Sequence, residues 1–144
     1  MTTGDARELA ASLRAVLGSV GEAPEEAVAG GCSGESWRWS VGADSAFVKT
    51  VPLARSALLE AEAAGLGELA AAGAVRVPRV LGCGASATRA WLALEWLPLQ
   101  PAGAASDARF GEQLAALHRV RAANYGWSRD NFIGSTAQAN GWLP

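Results

Sequence analysis

Apolar residues recur every third or fourth position near the start of the chain. In "DARELAASLRAVLGSV", residues 5–20, Leu9, Leu13, Val16, Leu17 and Val20 share one stripe, which predicts an amphipathic helix with Gly18 and Gly21 near its end. The period then changes. The windows "AVAGGCSGESWRWSV" and "SAFVKTVP" carry the β-favouring bulk of Val28, Trp37, Trp39, Val41, Phe47, Val48 and Val51, around a turn at Gly42, Ala43 and Asp44. A glycine-rich break, "GGCSG" at 30–34, divides the first window into two strands. Helical composition returns in "ARSALLEAEAAGLGELAAA", residues 54–72, where Leu58, Leu59, Leu66 and Leu69 mark the apolar stripe and Gly73 follows the end. "VRVPRVLGCG" and "RAWLALEWLPL" read as two further strands, the second closed by Pro98 and Pro101. "AASDARFGEQLAALHRV" predicts a last helix, begun by Ser106 or Asp107, with Phe110, Leu114 and Leu117 on one face. The tail, "NYGWSRDNFIGSTAQANGWLP", is aromatic, polar and glycine-rich, and no element is predicted in it. The order is helix, three strands, helix, two strands, linker, helix. Antiparallel hairpins with a helix packed on a face make an α+β fold.

Composition narrows the class. A chain of 144 residues suits one domain, and with half its residues hydrophobic it can bury a core rather than remain disordered. A net charge of −2 gives no general attraction to nucleic acid or to an anionic membrane, and neither is expected as a partner. No apolar run approaches the roughly 18–20 residues of a membrane span. The N-terminus has no basic region followed by an apolar one, so a secretory signal is not expected. Two cysteines, Cys32 and Cys83, make neither a disulfide framework nor a four-ligand metal site, and His118 is the only histidine. The default expectation is a cytoplasmic protein without a structural metal.

One residue stands out against this background. Lys49 is the only lysine, and every other basic residue is an arginine. A site that keeps lysine where arginine serves elsewhere suggests a compact ammonium in contact with phosphate; the alternative is a surface lysine that arose by chance. Its neighbours favour the first. A glycine-rich turn lies between the two strands before it, a glutamate inside the helix after it, and a proline-bounded connector after the fifth strand. Each has a task in holding ATP. Backbone N–H groups of a Gly/Ser turn approach phosphate oxygens closely. Lys49 reaches the α/β-phosphates as a point charge, and Glu62 pairs with that ammonium and directs it. The connector backbone offers a donor and an acceptor to the adenine edge. The glycine turn lacks the full Gly-x-Gly-x-x-Gly pattern, so the ordered set carries the reading, not any one member.

The segments "AGGCSGESWRW", "FVKT", "LLEAEAAGLGELAAAGAVRVPRVLGCG", "LALEWLPL", "FGEQLAALHR" and "YGWSRDNFIGSTAQANGW" together resemble the fructosamine kinase (ketosamine 3-kinase) family, relatives of the aminoglycoside phosphotransferases within the protein-kinase-like fold. The resemblance covers residues 28–142, and its last segment is not shared by aminoglycoside phosphotransferases or choline kinases. It implies a kinase-like N-terminal lobe over residues 1–98, a five-stranded antiparallel sheet with a packed helix. Residues 99–144 would be a linker and the start of the helical C-terminal lobe. Lys49 becomes the ATP-phosphate lysine and Glu62 its partner, with Glu60 as the fallback. Gly31, Cys32, Ser33, Gly34, Glu35 and Ser36 form the phosphate-covering loop, and Glu95, Trp96 and Leu97 the adenine-binding connector. Asp130 and Asn131 line the sugar site or simply make turns. Cys32 is a candidate redox-active thiol, against an inert small residue.

The implied activity is ATP- and Mg²⁺-dependent phosphorylation of the sugar of fructosamines, free or protein-bound, which promotes deglycation. The family's second lobe carries a His-Gly-Asp-x-Trp-x-x-Asn-type catalytic loop and a metal-binding aspartate, and neither follows in this sequence. The expectation is therefore an N-terminal portion, with no catalytic residues of its own and inactive alone. An exposed apolar face near its C-terminus would be available for self-association. Two alternatives stand beside it: a non-catalytic nucleotide-binding or interaction module, and a small-molecule kinase of the aminoglycoside phosphotransferase type.

Overall fold

The computed structural model describes residues 1–29 and 34–144. Helix α1 (Thr3–Leu17) opens the fold, followed by strands β1 (Glu26–Ala27), β2 (Glu35–Val41) and β3 (Asp44–Pro52). A single 3₁₀ turn at Leu53–Arg55 leads into helix α2 (Ser56–Ala72). Strands β4 (Val80–Ala85) and β5 (Arg89–Glu95), helix α3 (Ala104–Leu117) and a short hairpin of β6 (Asn131–Ile133) and β7 (Thr136–Gln138) complete it. The first five strands form one antiparallel sheet in the order β1-β2-β3-β5-β4.

Period-two alternation gives the sheet two apolar faces, each covered by one helix. Trp39, Ala46, Val48, Trp91 and Ala93 pack against Leu9, Ala10 and Leu13 of α1. Val51, Ala90, Leu92 and Leu94 pack against Leu59 of α2. The buried indoles also satisfy their polar atoms: Trp39 Nε1 donates to the Gly21 carbonyl at 3.0 Å, and Trp91 Nε1 to Ser12 Oγ at 2.8 Å. The glycines flanking Cys83 have a packing reason. A Cβ on Gly84 would lie 2.7 Å from the Trp91 ring and one on Gly82 2.8 Å from Val16. Cys83 between them points to the other face and is exposed.

Several boundaries differ from the pattern-based reading, each for a local reason. Helix α1 begins at Thr3 because Thr2 caps it: the Thr2 hydroxyl accepts from the Asp5 N–H, and the Asp5 carboxylate accepts from the Thr2 N–H. It stops at Leu17 because Gly18 takes φ 82°, a conformation that glycine adopts freely. Val16 of the expected stripe stays exposed. Strand β4 starts at Val80, since Pro78 has no N–H to pair and the Arg79 N–H turns to the Glu95 carboxylate. Helix α3 starts at Ala104, before the expected Ser106 or Asp107. Gly103 is its N-cap, and the Ser106 hydroxyl reaches back to accept the Gly103 N–H at 2.8 Å. The hairpin β6–β7 was not legible: its strands have three residues each, too short for a periodic signal, and turn at Gly134 with φ 61°.

Candidate functional site

Lys49 sits in the middle of β3, on the face covered by α2. Alternation places Phe47 and Val51 with it, while Val48 and Thr50 point to α1. Register sets Ser36 of β2 and Leu92 of β5 directly beside it. The long flexible stem lets the ammonium leave this apolar strip and reach α2. Lys49 Nζ lies 2.6 Å from Glu62 Oε2, with the two side chains 16% and 33% exposed. At that burial an unpaired ammonium would carry a desolvation cost, so the carboxylate both neutralises and aims it. The partner is Glu62 and not Glu60, whose carboxylate lies beside Arg129 on another side of the helix.

Next to this pair the same sheet face forms an apolar cavity of about 320 Å³, lined by Val28, Phe47, Pro78, Leu94, Glu95, Trp96, Leu97 and Leu99. Glu95 is held there by the chain itself. One carboxylate oxygen accepts from Arg76 at 3.0 Å and the other from the Arg79 N–H at 3.2 Å, while its own N–H donates to the Arg79 carbonyl at 2.8 Å. The connector is thus pinned just before Trp96 and Leu97. The Arg38 guanidinium lies 5.0 Å from the centre of the Trp96 ring, a cation–π contact, and Arg38 is held in turn by Glu25 at 3.1 Å. A flat aromatic heterocycle fits such a cavity, with one polar edge toward the connector backbone.

Of the expected phosphate-covering loop, Gly31, Cys32 and Ser33 lie outside the described residues. Gly34 seats the start of β2 against β3: a Cβ there would come 2.4 Å from the Thr50 carbonyl oxygen. Ser36 is buried opposite Lys49. The Glu35 side chain lies on the other face of the sheet. There it pairs with Arg89, which also donates to the buried Thr50 hydroxyl at 2.9 Å, and the N-terminal amine is 4.0 Å away. The family resemblance grouped Glu35 with the loop; alternation separates its side chain from Lys49 and leaves only its backbone on the strand beside the cleft.

A second cavity, about 280 Å³, opens between α2 and the β6–β7 hairpin, lined by Leu58, Ala61, Glu62, Asn131, Phe132 and Gly134. Asn131 therefore shares a cavity with Glu62. Its Oδ1 accepts from Asn140 Nδ2 at 2.8 Å, and Asp130 Oδ1 accepts from the Asn140 N–H at 2.9 Å, so both residues also organise the hairpin. Among the described residues no group of three or more His, Cys, Asp or Glu converges on a point where a metal ion would sit. The apolar wall of Val28, Phe47, Leu94 and Leu99 was missed in the sequence. The available signal was alternation: Phe47, two positions before Lys49, must share its face.

Comparison with known proteins shows the family. The family model for fructosamine kinase matches residues 6–144. A "probable ketoamine kinase" of Synechocystis sp. is 40% identical over 116 residues, 80% of this chain and 39% of that protein. A chloroplastic protein-ribulosamine 3-kinase of Arabidopsis thaliana is 31% identical over 118 residues, 80% of this chain and 36% of that protein. A crystal structure assigned as a fructosamine-3-kinase of Haemophilus somnus superposes with a TM-score of 0.81 at 27% identity, covering 94% of this chain and 46% of that one. One from Thermobifida fusca gives 0.77 at 28% identity, again over 94% of this chain and 46% of that one. The chain spans about two fifths of the length of the curated relatives it matches. With the family model matching residues 6–144, the chain belongs to the fructosamine kinase family.

Proposed function

We propose that this chain is the ATP-holding part of a kinase that phosphorylates the sugar of fructosamines or related ketosamines, free or protein-bound. The observation that carries the reading is the 2.6 Å pair of Lys49 and Glu62 beside the apolar cavity that ends at Trp96 and Leu97. Adenine enters that cavity against Val28, Phe47, Leu94 and Leu99, and its polar edge meets the connector backbone at Glu95 to Leu97. Lys49 then contacts the α- and β-phosphates, with Glu62 holding the ammonium in place, and the glycine loop up to Gly34 and Ser36 covers them with backbone N–H groups.

In the reaction the bond between the γ-phosphorus and the β,γ-bridging oxygen breaks, ADP leaves, and the sugar hydroxyl oxygen forms the new bond and gives up its proton. Mg²⁺ neutralises the phosphate charge when bound, and no residue described here is assigned to hold it or to accept the proton. The reading assigns nucleotide binding to residues 1–98 and the linker and start of the second lobe to 99–144. Residues 1–144 alone bind nucleotide and do not transfer phosphoryl. Asn131, which shares a cavity with Glu62, is the better of the two sugar-site candidates. Action in the cytoplasm belongs to the same proposal; among the described residues no helix is long and apolar enough to cross a membrane.

Isothermal titration of the chain with MgATP tests the core of it. Lys49→Ala is expected to remove most of the affinity while the fold persists, and Lys49→Arg to be impaired because a planar fork does not occupy the space of a compact ammonium. Wild-type affinity in Lys49→Arg would refute the assignment of Lys49.

A further inference from the structure

We propose that the β6–β7 hairpin is a strap that positions the pair of Lys49 and Glu62, and that it acts on α2 through one side chain, Arg129. Arg129 lies two residues before the first strand of the hairpin. Its Nη1 donates to the backbone carbonyl of Glu60 at 3.2 Å and its Nη2 lies 3.4 Å from the Glu60 carboxylate. One planar guanidinium thus grips both the main chain and a side chain of α2, two residues before Glu62.

The grip is transmitted because the far end is fixed. Asn140 Nδ2 donates to the Arg129 carbonyl at 3.3 Å and to Asn131 Oδ1 at 2.8 Å, and its N–H donates to Asp130 at 2.9 Å. Asn140 therefore ties three consecutive residues, Arg129 to Asn131, to the segment that follows β7. Arg129 is not a side chain on a loose loop. On the sheet side α2 is anchored by the buried Leu59, with Ala63 and Leu66 packed against the same core, while Ala61 lines the cavity under the hairpin. A helix held along one stripe can still roll about it. Glu62 tolerates little of this, since a shift of about 1 Å stretches a 2.6 Å contact past hydrogen-bonding range. Arg129 supplies a further point of fixation, from the hairpin. It is a positioning residue for Glu62, and through Glu62 for Lys49.

The functional consequence rests on the ATP-site reading; the mechanical one does not. The chain offers a readout free of nucleotide, because Lys49 is its only lysine and the N-terminal amine its only other primary amine. The two amines lie on opposite faces of the sheet, the N-terminal one near Glu35 on the α1 side. Brief, limiting acetylation with acetic anhydride, followed by mass spectrometry, reads each separately.

Glu62→Gln is expected to raise labelling of Lys49 several-fold with the N-terminal amine unchanged. Arg129→Gln is expected to do the same to a smaller degree, and Arg129→Gln combined with Glu62→Gln to label no faster than Glu62→Gln alone. Arg129→Lys, which can keep one of the two contacts, is expected to fall between wild type and Arg129→Gln. If Arg129→Gln unfolds the chain, both amines become reactive together and Arg129→Lys decides. Wild-type labelling of Lys49 in the folded Arg129 variants, or additive effects in the double variant, overturns the strap. MgATP titration separates the two claims. If Lys49→Ala abolishes binding and Arg129→Gln alters neither labelling nor affinity, only the strap fails. If Lys49→Ala binds MgATP as wild type does, the nucleotide reading fails and the labelling still decides the strap.

Discussion

Adding a single methyl group at Gly34 tests how the site is built. The Cβ of Gly34→Ala would lie 2.4 Å from the Thr50 carbonyl oxygen and 3.0 Å from Val51 Cγ1. Real Cβ atoms essentially never approach a neighbour closer than 3.0 Å, so something must move by at least 3.0 − 2.4 = 0.6 Å. The obstacle is backbone, and it is firmly held. Thr50 is fully buried, its hydroxyl accepts from Arg89, and β5 pairs with it on its other side. Two responses remain. The start of β2 lifts away and loses its pairing between Glu35 and Thr50, or β3 shifts and carries Lys49 with it. Overpacking of this kind costs about 1–3 kcal/mol. At roughly 4 °C per kcal/mol for a chain of this size, Tm falls by about 4–12 °C. Either response also disturbs the phosphate end of the cleft, so MgATP affinity falls as well. Gly67→Ala in α2 is the control: nothing lies within 4 Å of its Cβ, and the same methyl group should stabilise by about 0.5–1 kcal/mol. Thermal unfolding and MgATP titration of both variants decide. Unchanged Tm and affinity in Gly34→Ala would show that the start of β2 is not seated on Thr50.

Leu59→Ala removes the main apolar anchor of α2 and should cost about 2–5 kcal/mol by urea denaturation, with weaker MgATP binding because Glu62 moves with the helix. Hydrogen bonds from the Thr2 backbone and then its hydroxyl hold the Asp5 carboxyl below its ordinary value of 3.8. The folded state thus prefers the ionised form, and the stabilisation is present in full above 3.8 and lost as pH falls through the lower folded value. Asp5→Asn should lower Tm at neutral pH, and the difference from wild type should vanish in strong acid; a difference that persists there would mean the carboxylate charge is not the cause. The α3 face leaves Phe110 55% and Leu114 37% exposed, with Ile133 and Trp142 also open. Sedimentation velocity should show self-association of residues 1–144, reversed by Phe110→Glu with Leu114→Glu; a wild-type monomer at high concentration would count against that face as an adhesive surface.

The α+β class, all five sheet strands and the three helices could be read from the sequence, because each rests on local information: a change of period, a cap, a glycine or proline at an end. The pairing of Lys49 with Glu62 was legible too, as residue types in a telling order. What one-dimensional order could not carry was direction. Glu35 and Ser36 are neighbours in the chain, yet alternation puts one beside Arg89 and the other beside Lys49, and only strand register fixes which is which. The choice of Glu62 over Glu60 depended on which side of α2 meets the sheet, and that was settled by where Leu59 finds a partner. The apolar cavity draws on the residue after β1, on β3, β5 and the connector, residues as far apart as Val28 and Leu99. The grip of Arg129 on Glu60 joins positions 69 residues apart through a hairpin too short to announce itself. Local propensity specifies elements; long-range burial and hydrogen bonding, which exist only once the chain has closed on itself, decide which faces and side chains meet.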